Sequence, residues 1–460
     1  MKKRLRTSAY LKWIPMKITH RCRFLLRFFV STLVFFIAGS AHADLEIPPI
    51  TESLEGAHPI AIIPFGWESR ATSPPVSIAE IISRNLERSG LFAPIPEREL
   101  PGLPTTKKQV RFSDWRLLGA NLVIGDLSPL PDGRYSIRFR LFDVFQEKQL
   151  AGFRFRAPAK ELRKVAHKIT DIIYEKLTGE LGAFTARIAY ITETGVSRKT
   201  KRYTLHVADS DGEDAIGIRG STRPLLSPAW APDGRKLAYV SFESGRSHVY
   251  IQEIAKKNRY KIAAFPGING APAWSPDGSQ LALTLSKDGN AEIYIMRIHT
   301  RHLSRVTRNG AIDTEPSWAP DGQSLVFTSD RSGTPQIYQV SVRGGEAKRV
   351  TFQGHYNARA TFSPDGSKLA LVHGDRGVYR IALLDLDAGS LRILTETNLD
   401  ESPSFSPNGS TILYATTDRY GSALAAVSPD RGIRYQLTVR GGKVREPAWS
   451  PVGWSPAIAP

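Results

Sequence analysis

The residues of this chain that could do chemistry are few, and the most conspicuous of them recur at a regular spacing. Four aspartates stand in Pro-Asp-Gly, at Asp233, Asp277, Asp321 and Asp365, and Asn408 takes the same place in a fifth copy. Catalytic carboxylates occur once or in pairs, whereas aspartate or asparagine between proline and glycine is typical of tight turns. We therefore interpret these residues as turn formers.

Other constellations are equally weak as catalytic or metal sites. His299 and His302 stand three residues apart at the predicted end of a strand, with no carboxylate nearby in the sequence. The segment DSDGED (209–214) lacks the twelve-residue spacing and the glutamate of a calcium loop. Neither a G-x-S-x-G nucleophile motif nor a glycine-rich phosphate loop occurs. The sequence predicts a protein without enzymatic activity, metal or cofactor.

The amino-terminal segment has the features of a secretory signal. Residues 1–43 contain nine Lys or Arg and no acidic residue, which accounts for half of the formal net charge of +18. An apolar run, Phe28–Ala38, leads to GSAHA, which predicts cleavage between Ala43 and Asp44. The single cysteine, Cys22, lies within the segment removed. The remaining basic residues are scattered without interleaved aromatics, so we expect no nucleic-acid partner.

A repeat occupies the second part of the chain. Aromatic residues followed by a Pro-containing turn occur at Trp230, Trp274, Trp318, Phe362, Phe405 and Trp449, with spacings of 44, 44, 44, 43 and 44 residues. Each unit reads as four short strands with alternating apolar residues. A period of this length with β-rich units is typical of β-propeller blades.

The ends of the repeat are complementary. The sixth copy has only a first strand, whereas RIAYIT (187–192) and YTLHVAD (203–209) match a second and a third strand without a first. We therefore predict a six-bladed β-propeller closed by pairing of its amino- and carboxy-terminal strands in one blade. The expected organisation is a signal (1–43), a flexible arm (44–58), an α/β domain (59–182) and the propeller (183–460).

The segments before each first strand vary from copy to copy, and they should surround one mouth of the central channel. A constant scaffold with variable polar tips around a concavity is a common way to build a binding site. The candidate binding residues in these segments are Asn269, Thr314, Glu315, Asn357, Arg359, Asp400, Glu401, Arg445 and Glu446.

Several longer segments resemble the TolB family of periplasmic propeller proteins of the Tol–Pal system. They include IAIIPFGW (60–67), GDLSPLPDGRYSIRFRLFDV (125–144) and LDESPSFSPNGS (399–410). The resemblance implies a monomeric, non-enzymatic scaffold in the periplasm that supports outer-membrane integrity and envelope constriction during cell division. It would reach the membrane only through partners: the lipoprotein Pal, TolA, and other outer-membrane proteins as further candidates.

The resemblance also implies which residues meet these partners. The family positions that touch Pal correspond here to Ile268, Ala271 and Thr314, and better-known members carry His where this chain has Ile268. The arm that contacts TolA begins at Asp44, Leu45, Glu46 and Ile47. Two alternatives remain open: the propeller module of a peptidase-like hydrolase, and a propeller of the envelope that binds glycans.

Overall fold

The computed structural model describes residues 56–67, 74–197, 199–256, 258–419, 421–439 and 441–451. The amino-terminal part contains six strands and three α-helices. In chain order these elements are β1 (His58–Ile62), β2 (Gly66–Trp67), α1 (Ile78–Arg88), β3 (Phe92–Pro94), α2 (Phe112–Arg116), β4 (Asn121–Pro129), β5 (Tyr135–Asp143), β6 (Lys148–Ala157) and α3 (Leu162–Thr178). Short 3-10 turns occupy Glu97–Glu99, Lys107–Gln109 and Ala159–Glu161.

The six strands form one mixed sheet in the order β3-β1-β4-β5-β6, with β2 paired to β4. Helices α1 and α3 cover one face, because their apolar residues recur at helical spacing and so form one stripe on each helix. Ser77 caps α1 by accepting a hydrogen bond from the Glu80 backbone N–H, and α3 ends at Gly179 in a left-handed conformation. Trp115 of α2 packs on the other face, against Leu122 and Phe142.

Six four-stranded antiparallel sheets follow, and each is one blade of a propeller. Strands β7 (Arg187–Thr194), β8 (Arg202–Asp209) and β9 (Ile216–Ser221) come first. Blade 1 is β10 (Leu225–Trp230), β11 (Lys236–Ser241), β12 (His248–Glu253) and β13 (Arg259–Ala263). Blade 2 is β14 (Asn269–Trp274), β15 (Gln280–Leu285), β16 (Glu292–Arg297) and β17 (Leu303–Arg305). Blade 3 is β18 (Asp313–Trp318), β19 (Ser324–Ser329), β20 (Gln336–Ser341) and β21 (Lys348–Arg349).

The remaining blades repeat this arrangement. Blade 4 is β22 (Tyr356–Phe362), β23 (Lys368–Asp375), β24 (Val378–Asp385) and β25 (Leu391–Ile393). Blade 5 is β26 (Asp400–Phe405), β27 (Ile412–Asp418), β28 (Gly421–Val427) and β29 (Arg434–Leu437). The last strand, β30 (Lys443–Trp449), pairs with β7, so blade 6 has the order β30-β7-β8-β9.

Strand β30 therefore closes the ring, as predicted. Beyond the β30–β7 ladder, Ser450 and Arg187 exchange two hydrogen bonds of 2.7 Å, one of them to the Ser450 hydroxyl. The indole N–H of Trp230 in blade 1 donates to the Ala448 carbonyl in blade 6 at 3.1 Å. Pairing with β30 covers the edge of β7 that would otherwise be free and gives blade 6 the same four strands as the other blades. The predicted fold class is confirmed.

The Pro-Asp-Gly segments are turns. Asp277 accepts a hydrogen bond from the Ser279 backbone N–H at 3.0 Å, and Gly278 has a φ of +71°, a conformation that favours glycine. Hydrogen bonds from Ser275 and Ser279 lower the pKa of Asp277. Asn408 accepts from the Ser410 N–H in the same way, so the interpretation of these residues as turn formers is confirmed.

Three elements of the amino-terminal part, β2, β3 and α2, were not expected from the sequence pattern. They are short, with two, three and five residues, and short elements carry too little periodicity to be recognised. Within the described ranges, no helix is long and apolar enough to cross a membrane.

Candidate functional site

The first strand of every blade contains a β-bulge at the same position. Along β18, Asp313 is buried, Thr314 and Glu315 are both partly exposed, and Pro316 is buried again, so the strict alternation of a strand is broken. The pairing register with β19 shifts between Thr314 and Ser317. A bulge places two residues of one strand opposite one residue of its partner. The bulge therefore breaks the alternation of side chains in each inner strand, and in β10, β14 and β18 it leaves two adjacent residues partly exposed.

The first of the two unpaired residues in each bulge has a positive φ, although none is glycine. These residues are Ser227, Ala271, Glu315, Arg359, Ser402 and Glu446, with φ between +42° and +59°. The left-handed conformation costs a non-glycine residue about 1–2 kcal/mol. Because the conformation recurs once in every blade, it is part of the bulge and therefore of the scaffold. Five of the six residues, all but Glu446, line the central channel, which makes the channel the candidate site.

The inner strands enclose a cavity of about 650 Å³. It is bordered by the bulge residues on one side. On the other side it extends to the prolines that follow the regularly spaced aromatic residues, such as Pro232 and Pro276. Prolines and small residues line most of it, and its charged lining residues are Glu315 and Arg359. The channel therefore offers a largely apolar wall with charge concentrated on blades 3 and 4.

Arg359 is the centre of the charged group in the channel. Its guanidinium lies 3.3 Å from the Glu315 carboxylate and 3.2 Å from that of Glu446. Burial alone would lower the pKa of Arg359, but the carboxylates of Glu446, Glu315 and Glu401 outweigh it and raise this pKa. The Thr328 hydroxyl donates to Glu315 at 2.9 Å and fixes its carboxylate.

Glu401 is the carboxylate of this group that is least compensated. Burial raises the pKa of Glu401, and the positive charge of Arg359 only partly opposes this effect. Thr314, also half-buried, lies beside the group on blade 3, where its hydroxyl meets that of Thr284 at 3.3 Å. The group contains three carboxylates and the central guanidinium of Arg359, and the charge of Arg445 also acts on Glu401. The acidic side chains still outnumber the basic ones by one, so a positively charged group of a partner could complement them.

Three of the predicted binding residues are almost completely buried, and their polar groups are used within the blade. Asn269 and Asn357 are 0% exposed and Asp400 is 1% exposed. Each stands first or second in its inner strand and binds the preceding loop: Asn269 bonds both the N–H and the C=O of Phe265, and Asp400 accepts from Thr395 and Thr397. They hold the loops in place, because a buried polar group needs its hydrogen bonds satisfied within the blade.

The other predicted residues lie at the channel or its mouth. Ala271, Glu315 and Arg359 line the cavity, and Glu446 is 9% exposed with its carboxylate on Arg359 and on the Ser227 N–H. Ile268 is 52% exposed at the mouth, and Arg445 is exposed on the last inner strand.

Two mouth residues were missed in the sequence. Ile312 and Leu399 are 54% and 45% exposed, and like Ile268 each stands three residues before the strained bulge residue of its blade. We call Ile268, Ile312 and Leu399 the apolar rim. Aligning the repeats places an aliphatic residue at this position in three of them. Single exposed aliphatic residues are common on protein surfaces, however, so the sequence alone provides no reason to select these three.

The backbone of the apolar rim is held firmly. The N–H of Ile268 donates to the Ser286 hydroxyl at 2.7 Å, and its carbonyl accepts from the Ser286 N–H at 3.2 Å. Asp330 binds Ile312 in the same way, and the Leu399 carbonyl accepts from the Thr417 N–H at 2.9 Å. Exposed apolar side chains on a fixed backbone lose little freedom when they bind, which favours association.

A second cluster of titratable residues joins the amino-terminal part to blade 6. His167 of α3 places its Nε2 3.6 Å from Asp209 and 3.8 Å from Asp211, in the DSDGED segment. Arg163 pairs with Asp211 at 2.5 Å and lies 3.6 Å from Asp209. The segment interpreted from sequence as a polar turn is therefore also an ionic contact between helix and propeller.

The spacing of His167, Asp209 and Asp211 resembles a metal site, since three ligand atoms lie within 4.8 Å of one another. The hydrogen bonds of Asn85 argue against that function. Its Oδ1 accepts from Arg88, so its amide NH2 is the group that meets Nδ1 of His167 at 2.9 Å and the Thr170 hydroxyl. Nδ1 must then accept, and the proton of a neutral imidazole is on Nε2. Nε2 thus has no lone pair for a metal.

The predictions for the signal, the cleavage site at Ala43 and Asp44, and the arm residues Asp44–Ile47 lie outside the described residues.

Two family models match the chain. The model of the TolB amino-terminal domain matches residues 48–150, and that of the TolB beta propeller domain matches residues 174–453. Together they include five of the six strands of the mixed sheet, the start of β6 and all six blades.

Similar proteins cover nearly the whole chain. The Tol-Pal system protein TolB of Nitrosococcus oceani is 60% identical over 92% of this chain and 97% of its own length. That of Methylobacillus flagellatus is 54% identical over 94% of this chain and 99% of its own. The crystal structure of TolB from Acinetobacter baumannii superposes with a TM-score of 0.78 at 42% identity, over 86% of this chain and 97% of that one.

Proposed function

Because this chain belongs to the TolB family of Tol-Pal system proteins, we propose that it is a non-enzymatic periplasmic scaffold that binds the lipoprotein Pal at the propeller mouth and TolA through its amino-terminal arm. In that function it supports outer-membrane integrity and envelope constriction during division.

The observation that carries the Pal proposal is the apolar rim. Three aliphatic side chains, each about half exposed, surround one mouth of a channel in equivalent positions. Exposed apolar groups around a concavity typically mark an interface, and a few of them supply most of the binding free energy. Ile268 and Ile312 lie on adjacent blades, so one partner surface reaches both.

The channel beneath the apolar rim supports the same proposal. Glu315 and Arg359 line the cavity, and Glu446 and Glu401 lie behind them. Charges below an apolar contact ring favour one orientation of the partner and exclude like-charged alternatives. We expect Pal to bury apolar side chains against the apolar rim and to direct a cationic or hydrogen-bond-donating group towards the carboxylates.

The proposal for TolA rests on the acidic arm, DLEIPPITESLEG (44–56), which precedes the propeller in the sequence. A segment whose sequence lacks a helical pattern suits recognition by strand addition or coupled folding. The two partners would therefore use separate parts of the chain.

Photo-crosslinking in cells tests the proposal. The full-length chain carries benzoylphenylalanine in place of Ile312, or in place of Ile393 on the outer strand β25, where the side chain is 45% exposed. We expect Pal to be captured at 312 and not at 393. In a second strain, deletion of residues 44–55 should abolish capture of TolA and leave capture of Pal at 312 unchanged.

Other outcomes would overturn the proposal. Capture of Pal at 393 but not at 312 would exclude the mouth as the Pal site. Retention of both partners after the deletion would exclude the arm. Binding of the purified chain to sacculi stripped of protein, with no capture of Pal, would favour the glycan-binding alternative.

A further inference from the structure

A group of arginines lies on the open face of the amino-terminal sheet. None of them belongs to the channel or to the arm on which the proposed function rests. Strands β5 and β6 pair so that Arg140 is opposite Gly152 and Arg138 is opposite Arg154. These four positions form a two-by-two block on one face, because residues two apart on a strand point to the same side. Three of the four positions are arginine.

This arrangement is electrostatically unfavourable without a ligand. Directly opposite side chains on paired strands lie about 5 Å apart at Cβ, and like charges there destabilise the sheet. Asp126 compensates the charge of Arg138, because the Nε of Arg138 donates hydrogen bonds of 2.8 and 3.0 Å to the two carboxylate oxygens of Asp126. For Arg140 and Arg154, the described residues include no carboxylate within ion-pair distance. The block therefore has uncompensated positive charge.

The fourth position, Gly152, opens a concavity between the arginines. Its φ is not left-handed, so the backbone does not require glycine there. A Cβ at this position would lie 2.5 Å from Nε2 of Gln149 and 3.5 Å from Cγ of Arg140. Glycine therefore leaves room for the Gln149 amide between the arginines, and both residues line a cavity of about 410 Å³. Arg138, Arg140, Arg154 and Gln149 line it, and Phe139 and Phe153, whose rings point to the other face of the sheet, border it from between the arginines.

The block is also rigid and accessible. The opposite side of the same strands is fixed by Phe139, whose ring stacks with those of Phe153 and Phe155 at centroid distances of 6.0 and 6.2 Å. Strand β6 is the last strand of the sheet in the described structure, so the cavity opens to the side. Helix α2 covers only the other half of this face.

We infer that this cavity, the Gly152 notch, binds a phosphate group. Guanidinium groups bind phosphate oxygens in pairs of parallel hydrogen bonds, and two uncompensated ones on a fixed surface would hold a compact, multiply charged anion. The Gln149 amide provides a further donor. A notch of this size favours one phosphate over an extended acidic peptide, which would need a longer groove. The phosphate is either free or carried by a lipid headgroup.

The test uses the complete mature chain and three variants. Arg140→Gln with Arg154→Gln removes the uncompensated charge. Gly152→Ala keeps every charge but displaces the Gln149 amide from its place over residue 152. Lys148→Gln removes one exposed charge from the same strand outside the notch. Circular dichroism and thermal unfolding check that each variant folds. Titrations at constant ionic strength use inorganic phosphate, vesicles of phosphatidylcholine with phosphatidic acid, and equally charged vesicles with oleate.

We expect wild type to bind phosphate, the double variant to lose about a hundredfold in affinity and Gly152→Ala to lose about tenfold, with Lys148→Gln close to wild type. Preference for phosphatidic acid over oleate vesicles assigns a lipid source, and binding of inorganic phosphate alone assigns a free one. Equal losses of affinity in Lys148→Gln and Gly152→Ala would mean that the notch attracts anions only through unspecific charge, and would overturn the proposal. Equal binding of both vesicle types without binding of inorganic phosphate would overturn it for the same reason. A further titration with polyglutamate tests for an acidic peptide as the ligand. Binding of polyglutamate without binding of inorganic phosphate would overturn the proposal as well.

Discussion

Arg359 and Glu446 form an ion pair of 3.2 Å between blades that are not neighbours. Arg359 belongs to blade 4 and Glu446 to blade 6, and blade 5 places only Ser402 at the equivalent position between them. The small serine leaves room for the long arginine side chain to reach across. The pair therefore connects the closing strand β30 to blade 4 across the channel. This contact adds to the hydrogen bonds that β30 forms with β7.

The first prediction concerns this pair. Arg359→Gln should lower the free energy of unfolding by about 1–3 kcal/mol, because Glu315 and Glu446 both lose their cation in a partly buried site. Glu446→Gln should cost less, since Arg359 keeps Glu315. A double-mutant cycle in urea measures the coupling, which we expect to exceed about 0.5 kcal/mol. Additive effects would mean that the two residues do not interact in solution.

The second prediction concerns the apolar rim. Ile312→Asp should weaken binding of the soluble Pal domain by about tenfold or more, because a charge replaces a half-exposed aliphatic contact at the centre of the proposed interface. Ile393→Asp makes the same change on the outer edge of blade 4 and should leave affinity unchanged. Calorimetric titration compares the two. Equal affinities for both variants would contradict the assignment of the rim.

The third prediction concerns the contact between blades 1 and 6. Trp230→Phe removes the indole N–H that donates to the Ala448 carbonyl, while a ring remains for Arg187 to cover. We expect a loss of about 1 kcal/mol, or about 2–4 °C in the midpoint of thermal unfolding. Trp274→Phe is the matched control, because Nε1 of Trp274 has no hydrogen-bond partner among the described residues. A larger loss in the control would show that ring volume, and not this bond, determines stability.

The fourth prediction concerns pH. Burial raises the pKa of Glu401 above its ordinary value of 4.5, so the folded chain binds this proton more tightly than the unfolded chain does. The ionised carboxylate therefore reduces stability increasingly as the pH rises from about 4.5 to the raised pKa, and by a constant amount above it. Glu401→Gln removes this cost. Its melting midpoint should equal that of wild type below pH 4 and exceed it by about 1–3 °C at pH 8.

The exposed Glu346→Gln provides the control for this measurement and should differ little from wild type across the same range. A difference between Glu401→Gln and wild type that is largest in acid would have the wrong sign, and would mean that ionised Glu401 stabilises the fold.

The fifth prediction concerns His167. Because the Asn85 amide donates to Nδ1, nitrogen NMR should find the neutral ring protonated at Nε2. For the same reason, zinc should not raise the melting midpoint of wild type. A zinc-dependent rise that disappears in His167→Gln would contradict the tautomer and assign a metal site to His167, Asp209 and Asp211.

The sequence alone determined the architecture. The spacing of Trp230, Trp274 and Trp318 and the turns that follow them specify one blade each, because hairpin chemistry and strand alternation are local properties. Ring closure was also predictable, since the strands missing before Arg187 are those present near Trp449. The turn function of Asp277 followed from its repetition.

The identity of the contact residues was decided by the tertiary structure. The bulge in each inner strand shifts the alternation of side chains by one residue. The sequence pattern alone therefore does not indicate that Asn269 is buried within its blade while Ala271 borders the channel. The pairing of Arg359 with Glu446 depends on distances across the ring between residues 87 positions apart. The contact of His167 with Asp209 likewise joins separate parts of the chain. Local patterns define each blade, whereas burial and charge pairing depend on where the ring brings the blades together.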